Sequence, residues 1–152
     1  MNVDIQKMDF TKCMWEERSA FAKLLVYQGA KSLTLAVGEM KAGGTHKPHS
    51  HVYEQIILVV QGKANLTIEG VTHLLSAGCV IAIPPNAMHM FVPCGEESVY
   101  YIDIFSPKRP DHTGTWVNYN GIECAVGPRE ERIPSQLADS EENAAKVPFF
   151  LK

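Results

Sequence analysis

The chain has no Cys-x-x-Cys pair, no excess of basic residues and no apolar run long enough to enter a bilayer. Its four cysteines, Cys13, Cys79, Cys94 and Cys124, are scattered through 152 residues. That spacing argues against a zinc knuckle or a dense disulfide framework and for reduced thiols. The formal net charge is only −3, without the clustered basic face of a nucleic-acid binder, so no nucleic-acid partner is expected. The longest apolar stretch, residues 56–60, cannot span a membrane. The first residues, Met1-Asn2-Val3-Asp4-Ile5-Gln6-Lys7, lack a basic region followed by an apolar segment. A cytoplasmic location with no membrane partner is the expectation. Internal repeats and low-complexity tracts are also missing.

What remains is ordinary globular composition, 45% hydrophobic and 20% charged, at the size of one domain. From Ser32 to Pro107 short runs rich in Val, Ile, Leu, Thr and Tyr are cut by Gly and Pro turns, a pattern that fits strands and not helices. Strands are predicted at 32–40, 49–60, 64–69, 71–75, 79–83, 89–92 and 98–105. Many short strands with frequent turns make an all-β jelly roll or barrel. The chain divides into a mixed N-terminal lead-in (1–31), a barrel core (32–109) and a polar C-terminal extension (110–152) with a short helix near 140–146 and an apolar end.

Side chains of a strand alternate faces, so in a regular strand His49, His51, Tyr53 and Gln55 point together. Imidazole is the commonest nitrogen ligand for Ni, Zn, Mn or Fe, and two on one rigid strand can reach one divalent ion. Glu54 has the opposite parity and faces away unless a bulge re-aims it, which favours Gln55 as the fourth ligand. His89, after the turn Pro84-Pro85-Asn86, is the third histidine; His46, His73 and His112 have no comparable partners. Taken alone, a His-x-His pair could equally face solvent or be satisfied within a core.

The segment from Gly44 to Gln55 with Gly62, followed by Gly78, Pro84, Asn86 and His89, resembles the two motifs of the cupin superfamily. This implies a single-domain double-stranded β-helix, a jelly-roll barrel. His49-Ser50-His51, Glu54-Gln55, the Pro84-Pro85-Asn86 turn and Asp103-Ile104-Phe105-Ser106-Pro107-Lys108-Arg109 further resemble the KdgF-type cupins of pectin and alginate breakdown. Those convert 4,5-unsaturated monouronates to linear keto sugars. The resemblance implies Gln55 as a metal ligand beside His49, His51 and His89, with Asp103, Phe105 and Arg109 lining the substrate site. Ile57 stands where a polar residue would complete the match.

Asp103 and Phe105 alternate with Ile102 and Ile104 and so share an inward face, where a carboxylate can move protons and a ring can stack on a sugar. Arg109 suits bidentate recognition of a uronate carboxylate. Lys47 can assist it, and Tyr53 shares the ligand parity. The opposite face of the first long strand, Ile56, Leu58 and Val60, is too apolar for water, so a second sheet, the lead-in or a partner barrel must cover it. A homodimer acting on a small acidic sugar, with one divalent metal, is the expected protein. A metal-dependent dioxygenase or lyase, or a non-catalytic sugar-binding barrel, are the alternatives.

Overall fold

The computed structural model describes residues 7–110 except Gln28. The extension beyond Pro110, with its expected helix and apolar end, lies outside the described residues. Nine strands follow one another: β1 (Glu16–Glu17), β2 (Ala22–Tyr27), β3 (Thr34–Met40), β4 (Glu54–Gln61), β5 (Lys63–Ile68), β6 (Val71–Ser76), β7 (Val80–Ile83), β8 (His89–Pro93) and β9 (Val99–Ser106). They form a six-stranded sheet in the order β1-β2-β3-β9-β4-β7 and a three-stranded sheet in the order β6-β5-β8. Every pairing is antiparallel. A single 3₁₀ turn, Phe10–Lys12, is the only helical element among the described residues, none of which forms a helix able to cross a membrane. This is the jelly-roll barrel expected from the spacing of turns.

Most connections are tight, and their glycines take conformations that side chains avoid. Gly62, between β4 and β5, has φ of 83°, and a Cβ there would sit 2.6 Å from the Ser98 carbonyl oxygen. Strain and steric exclusion therefore act together at this turn.

The two sheets enclose a core in which Ile57 and Val59 of β4, Ala64 and Leu66 of β5, Phe91 of β8, and Val99 and Tyr101 of β9 pack together. Leu66, Val59 and Val99 are fully excluded from water. Gly38, in the middle of β3 opposite Tyr101, lies under that tyrosine's ring: a Cβ would fall 2.4 Å from the ring's Cζ. Absence of a side chain at position 38 thus lets the tyrosine lie flat against the sheet.

On the outer face of the larger sheet a second cluster joins Cys13 and Trp15 of the lead-in to Leu25, Val37 and Tyr100, with Met8, Phe10, Val60 and Ile102 packed against it. The lead-in therefore covers part of the apolar face that the sequence leaves bare. It also contributes β2, which pairs along its full length with β3. The remaining outer residues toward the β7 edge include half-buried Ile56 and Leu58 and exposed Val80.

Candidate metal centre and cavity

β4 begins at Glu54, so residues 49–53 are not the regular strand expected from alternation. His49 instead makes an isolated bridge to His89, with reciprocal backbone hydrogen bonds of 3.0 and 2.9 Å. The chain then bends, and His51 comes to rest against Gln55, the second residue of β4. Histidines 49, 51 and 89 are brought together all the same: their ligand nitrogens lie within 4.8 Å of one another. The His49 and His89 rings are 4.3 Å apart between centroids, and those of His51 and His89 4.9 Å.

Each imidazole is oriented from behind. His49 Nδ1 donates to Lys47 O (2.8 Å), His51 Nδ1 to Tyr53 O (2.9 Å) and His89 Nδ1 to Ala87 O (2.9 Å). A carbonyl oxygen only accepts, so each Nδ1 carries a proton, and the tautomer this selects offers its Nε2 lone pair to the site. Burial and its histidine neighbours hold the His89 pKa below the ordinary value, with desolvation the main cause. That keeps the ring in the form that binds metal.

Two features show that these lone pairs want a cation. His89 Nε2 is buried with no hydrogen-bond partner. His51 Nε2 also faces Gln55 Oε1 at 2.9 Å, while the Gln55 amide is turned by a 2.9 Å bond from its Nε2 to Asp103 Oδ1. Two acceptors therefore oppose each other across a distance close to the roughly 3 Å between neighbouring ligands of an ion bound at about 2.1 Å. The residues present fit a divalent metal. Glu54 is exposed, and it does not belong to the group of side chains close enough to share an ion with the histidines.

Asp103 and Phe105 are buried on the inner face of β9, as alternation predicts. Register across the sheet sets Phe105 opposite Gln55 and Asp103 opposite Ile57. Burial pushes the Asp103 carboxyl up to about 7, against the opposing pull of the Gln55 amide and the Arg109 guanidinium. Arg109 lies over the Phe105 ring at 4.6 Å and the Tyr53 ring at 5.2 Å. Its backbone is tied to β3 by a 2.8 Å bond to Thr34 Oγ1. Two stacked rings hold the guanidinium in place.

Most of these groups surround one cavity of about 460 Å³, within the range of small-molecule sites. His49, His89, Gln55, Asp103, Phe105 and Arg109 line it. So do residues not singled out by pattern. Arg18 enters from the lead-in, Tyr101 from the core, and His46 stands with its ring 6.2 Å from that of His49 and 6.4 Å from that of Phe91. Desolvation lowers the His46 pKa to about 4, helped by His49 and His89. His46 lies within the first histidine segment but is expected to lack partners; the structure sets it beside His49 and Phe91 in the cavity instead, whereas no local motif marks Arg18.

Residues 36–105 match the cupin domain family. The chain is 34% identical over 98 residues to the pectin degradation protein KdgF of Dickeya dadantii, which covers 64% of this chain and 88% of that protein. The solved structure of KdgF from Halomonas sp. aligns with a TM-score of 0.60 at 30% identity, over 64% of this chain and 88% of the other. A further similarity, 32% over 59 residues, is to the dimethylsulfoniopropionate lyase DddW of Ruegeria pomeroyi, covering 39% of each. Fold, paired histidine segments and sequence agree: this chain belongs to the cupin family, and KdgF proteins are among its relatives.

Proposed function

We propose that the protein converts a 4,5-unsaturated monouronate, of the kind released in pectin breakdown, into its open-chain keto form. His49, His51, His89 and Gln55 would hold one divalent metal, Ni, Zn, Mn or Fe. Three neutral imidazoles and an amide leave the ion's double charge uncompensated, so it supplies Lewis acidity toward a substrate oxygen. The observation that carries the reading is the Asp103 carboxyl bonded to Gln55, with Arg109 stacked on Phe105 beside it in the same cavity.

Arg109 holds the sugar carboxylate, and Phe105, buried in the cavity wall beneath the guanidinium, bounds the space for the ring. In the reaction the bond between C1 and the ring oxygen breaks, C1 becomes an aldehyde and the ring oxygen stays on C5 as an enol. Asp103 takes a proton from the C1 hydroxyl and returns one to C4, which converts the enol to a ketone. Protons balance, and neither water nor an oxidant is consumed. The Gln55 amide keeps the Asp103 carboxyl facing the cavity while this happens.

The similarity to a dimethylsulfoniopropionate lyase motivates a second reading. Three cations and one carboxylate line the cavity, a poor setting for a sulfonium group, and Ile57 is an apolar inward residue that offers no base. A homodimer completes the proposal, with the outer face around Ile56, Leu58 and Val80 as the contact; sedimentation of the purified chain as a monomer would remove it. The reaction is tested by following the conjugated-alkene absorbance of unsaturated monouronates with metal-loaded protein. Decay faster than the spontaneous rate, without oxygen uptake, is expected. Decay at the spontaneous rate with every uronate tried overturns the assignment, and oxygen consumption favours a dioxygenase.

A further inference from the structure

Four histidines stand at or beside the cavity, and three of them are accounted for by the metal. His49, His51 and His89 each have Nδ1 fixed by a backbone carbonyl, and among the described residues they form the group close enough to share an ion. His46 shares neither property. It lines the cavity and is half-buried. Its ring is held by packing, with its centroid 6.2 Å from that of His49 and 6.4 Å from that of Phe91. Among the described residues no group hydrogen-bonds either of its ring nitrogens. Neither nitrogen is sealed in, because the one fully buried side-chain nitrogen or oxygen without a partner among those residues is His89 Nε2.

The wall that carries His46 is not the wall that carries Arg109. His46 N donates to Phe91 O at 3.2 Å, which ties it to β8 of the three-stranded sheet. Arg109 lies over Phe105 of β9, and its backbone is bonded to Thr34 of β3, both in the six-stranded sheet. A ligand whose carboxylate meets Arg109 is therefore offered a second polar contact from the other sheet. An uncharged imidazole presents one donor and one acceptor, the pairing that a sugar hydroxyl satisfies and a carboxylate does not. A polar group left dry by a ligand without hydroxyls also counts against that ligand.

We infer that His46 is a sugar-binding residue, whose ring nitrogens take a hydroxyl of the acid that Arg109 holds, so that the cavity selects hydroxylated ring acids over bare ones. This deepens the proposed uronate reading and rests on its placement of the carboxylate at Arg109. The C1 hydroxyl and Asp103 keep the roles given above.

The test compares two ring acids by calorimetric titration of the full-length, nickel-loaded protein. One is galacturonate; the other is tetrahydropyran-2-carboxylate, which keeps the ring oxygen and the carboxylate but has no hydroxyl. The unaltered protein is expected to bind galacturonate at least about tenfold more tightly. His46→Phe keeps a ring and removes both nitrogens. It should cut that preference by about fivefold, the scale of one neutral hydrogen bond, with nickel content unchanged, and His46→Gln should restore part of it. Should the Phe variant not fold, His46→Leu makes the same comparison. Equal affinities in the unaltered protein, no binding of either acid, a preference that survives the loss of the imidazole, or an equal loss of affinity for both acids overturns the proposal. Loss of nickel from the variant overturns it as well, since the ring would then serve the metal. Catalysis is read separately with the unsaturated monouronate. A preference that depends on His46 without alkene turnover removes the reaction and keeps the hydroxyl contact, and turnover with a KM indifferent to His46→Phe does the reverse.

Discussion

Four side chains of β9 face the barrel interior, and they divide it in two. Val99 and Tyr101 are packed into the apolar core, whereas Asp103 and Phe105 stand with Gln55 and the histidines at the cavity. The strand and its alternation are the same in both halves. What changes is the company that register supplies: Val99 belongs to a core with Met40, Val59 and Leu66, while Phe105 lies between Thr34 and Gln55. In the core half cohesion comes from buried apolar surface. In the cavity half buried polar atoms lean on one another, and His89 Nε2 has no protein partner at all. The core half should therefore be stable without a metal, and the cavity half should be completed by one.

The sharpest break between the halves is His89→Ala. It should take metal from one ion per chain to almost none and abolish turnover, while a cooperative thermal transition survives; elemental analysis and a melting curve report the two. Metal retained at full stoichiometry would show that the ligand set is wrong. Next in size, Asp103→Asn should leave metal content intact and lower kcat by roughly 10²–10⁴, the range of a positioned acid or base. A kcat within a few fold of the parent would return Asp103 to a structural role.

Leu66→Ala acts on the other half. Removing a fully buried side chain should cost about 2–5 kcal/mol in denaturant unfolding, with the metal stoichiometry unchanged in the folded protein. Loss of metal in step with stability would mean that the halves are not separable. The smallest expected effect is that of Arg109→Ala, a rise of roughly tenfold in KM for a uronate, about 1.4 kcal/mol of binding, with kcat nearly preserved. Unchanged kinetics would make Arg109 a structural cation stacked on two rings.

Legibility in the sequence followed the same division. Strands β3 to β9 announce themselves through short runs rich in Val, Ile, Leu, Thr and Tyr and through turn residues between them, several with positive φ, such as Gly43, Gly70 and Gly78. The strand β2 does not, because Leu24, Leu25 and Val26 are all buried, with sheet interior on one side and the lead-in on the other. A strand covered on both faces loses its period-two signal. The grouping of His49, His51 and Gln55 was readable, although a bend and a bridge to His89 bring them together where a regular strand was expected. Arg18 was not readable, since its local turn to Ala22 reaches the cavity only through β2 pairing with β3, which no residue near it announces.

The ring of Tyr101 belongs both to the core and to the cavity wall, and it lies where it does because residue 38 has no side chain. The size of the site is thus gauged from behind, by a backbone position that no ligand touches. A methyl group at 38 would lift the ring inward and shorten the cavity. Trimming the ring itself would lengthen the cavity only by opening a void in the core, so room for a longer ligand is traded directly against the cohesion of the barrel. Among natural variants of this barrel, changes in the length of ligand accepted should then arise as paired exchanges at 38 and 101, with the polar residues left as they are.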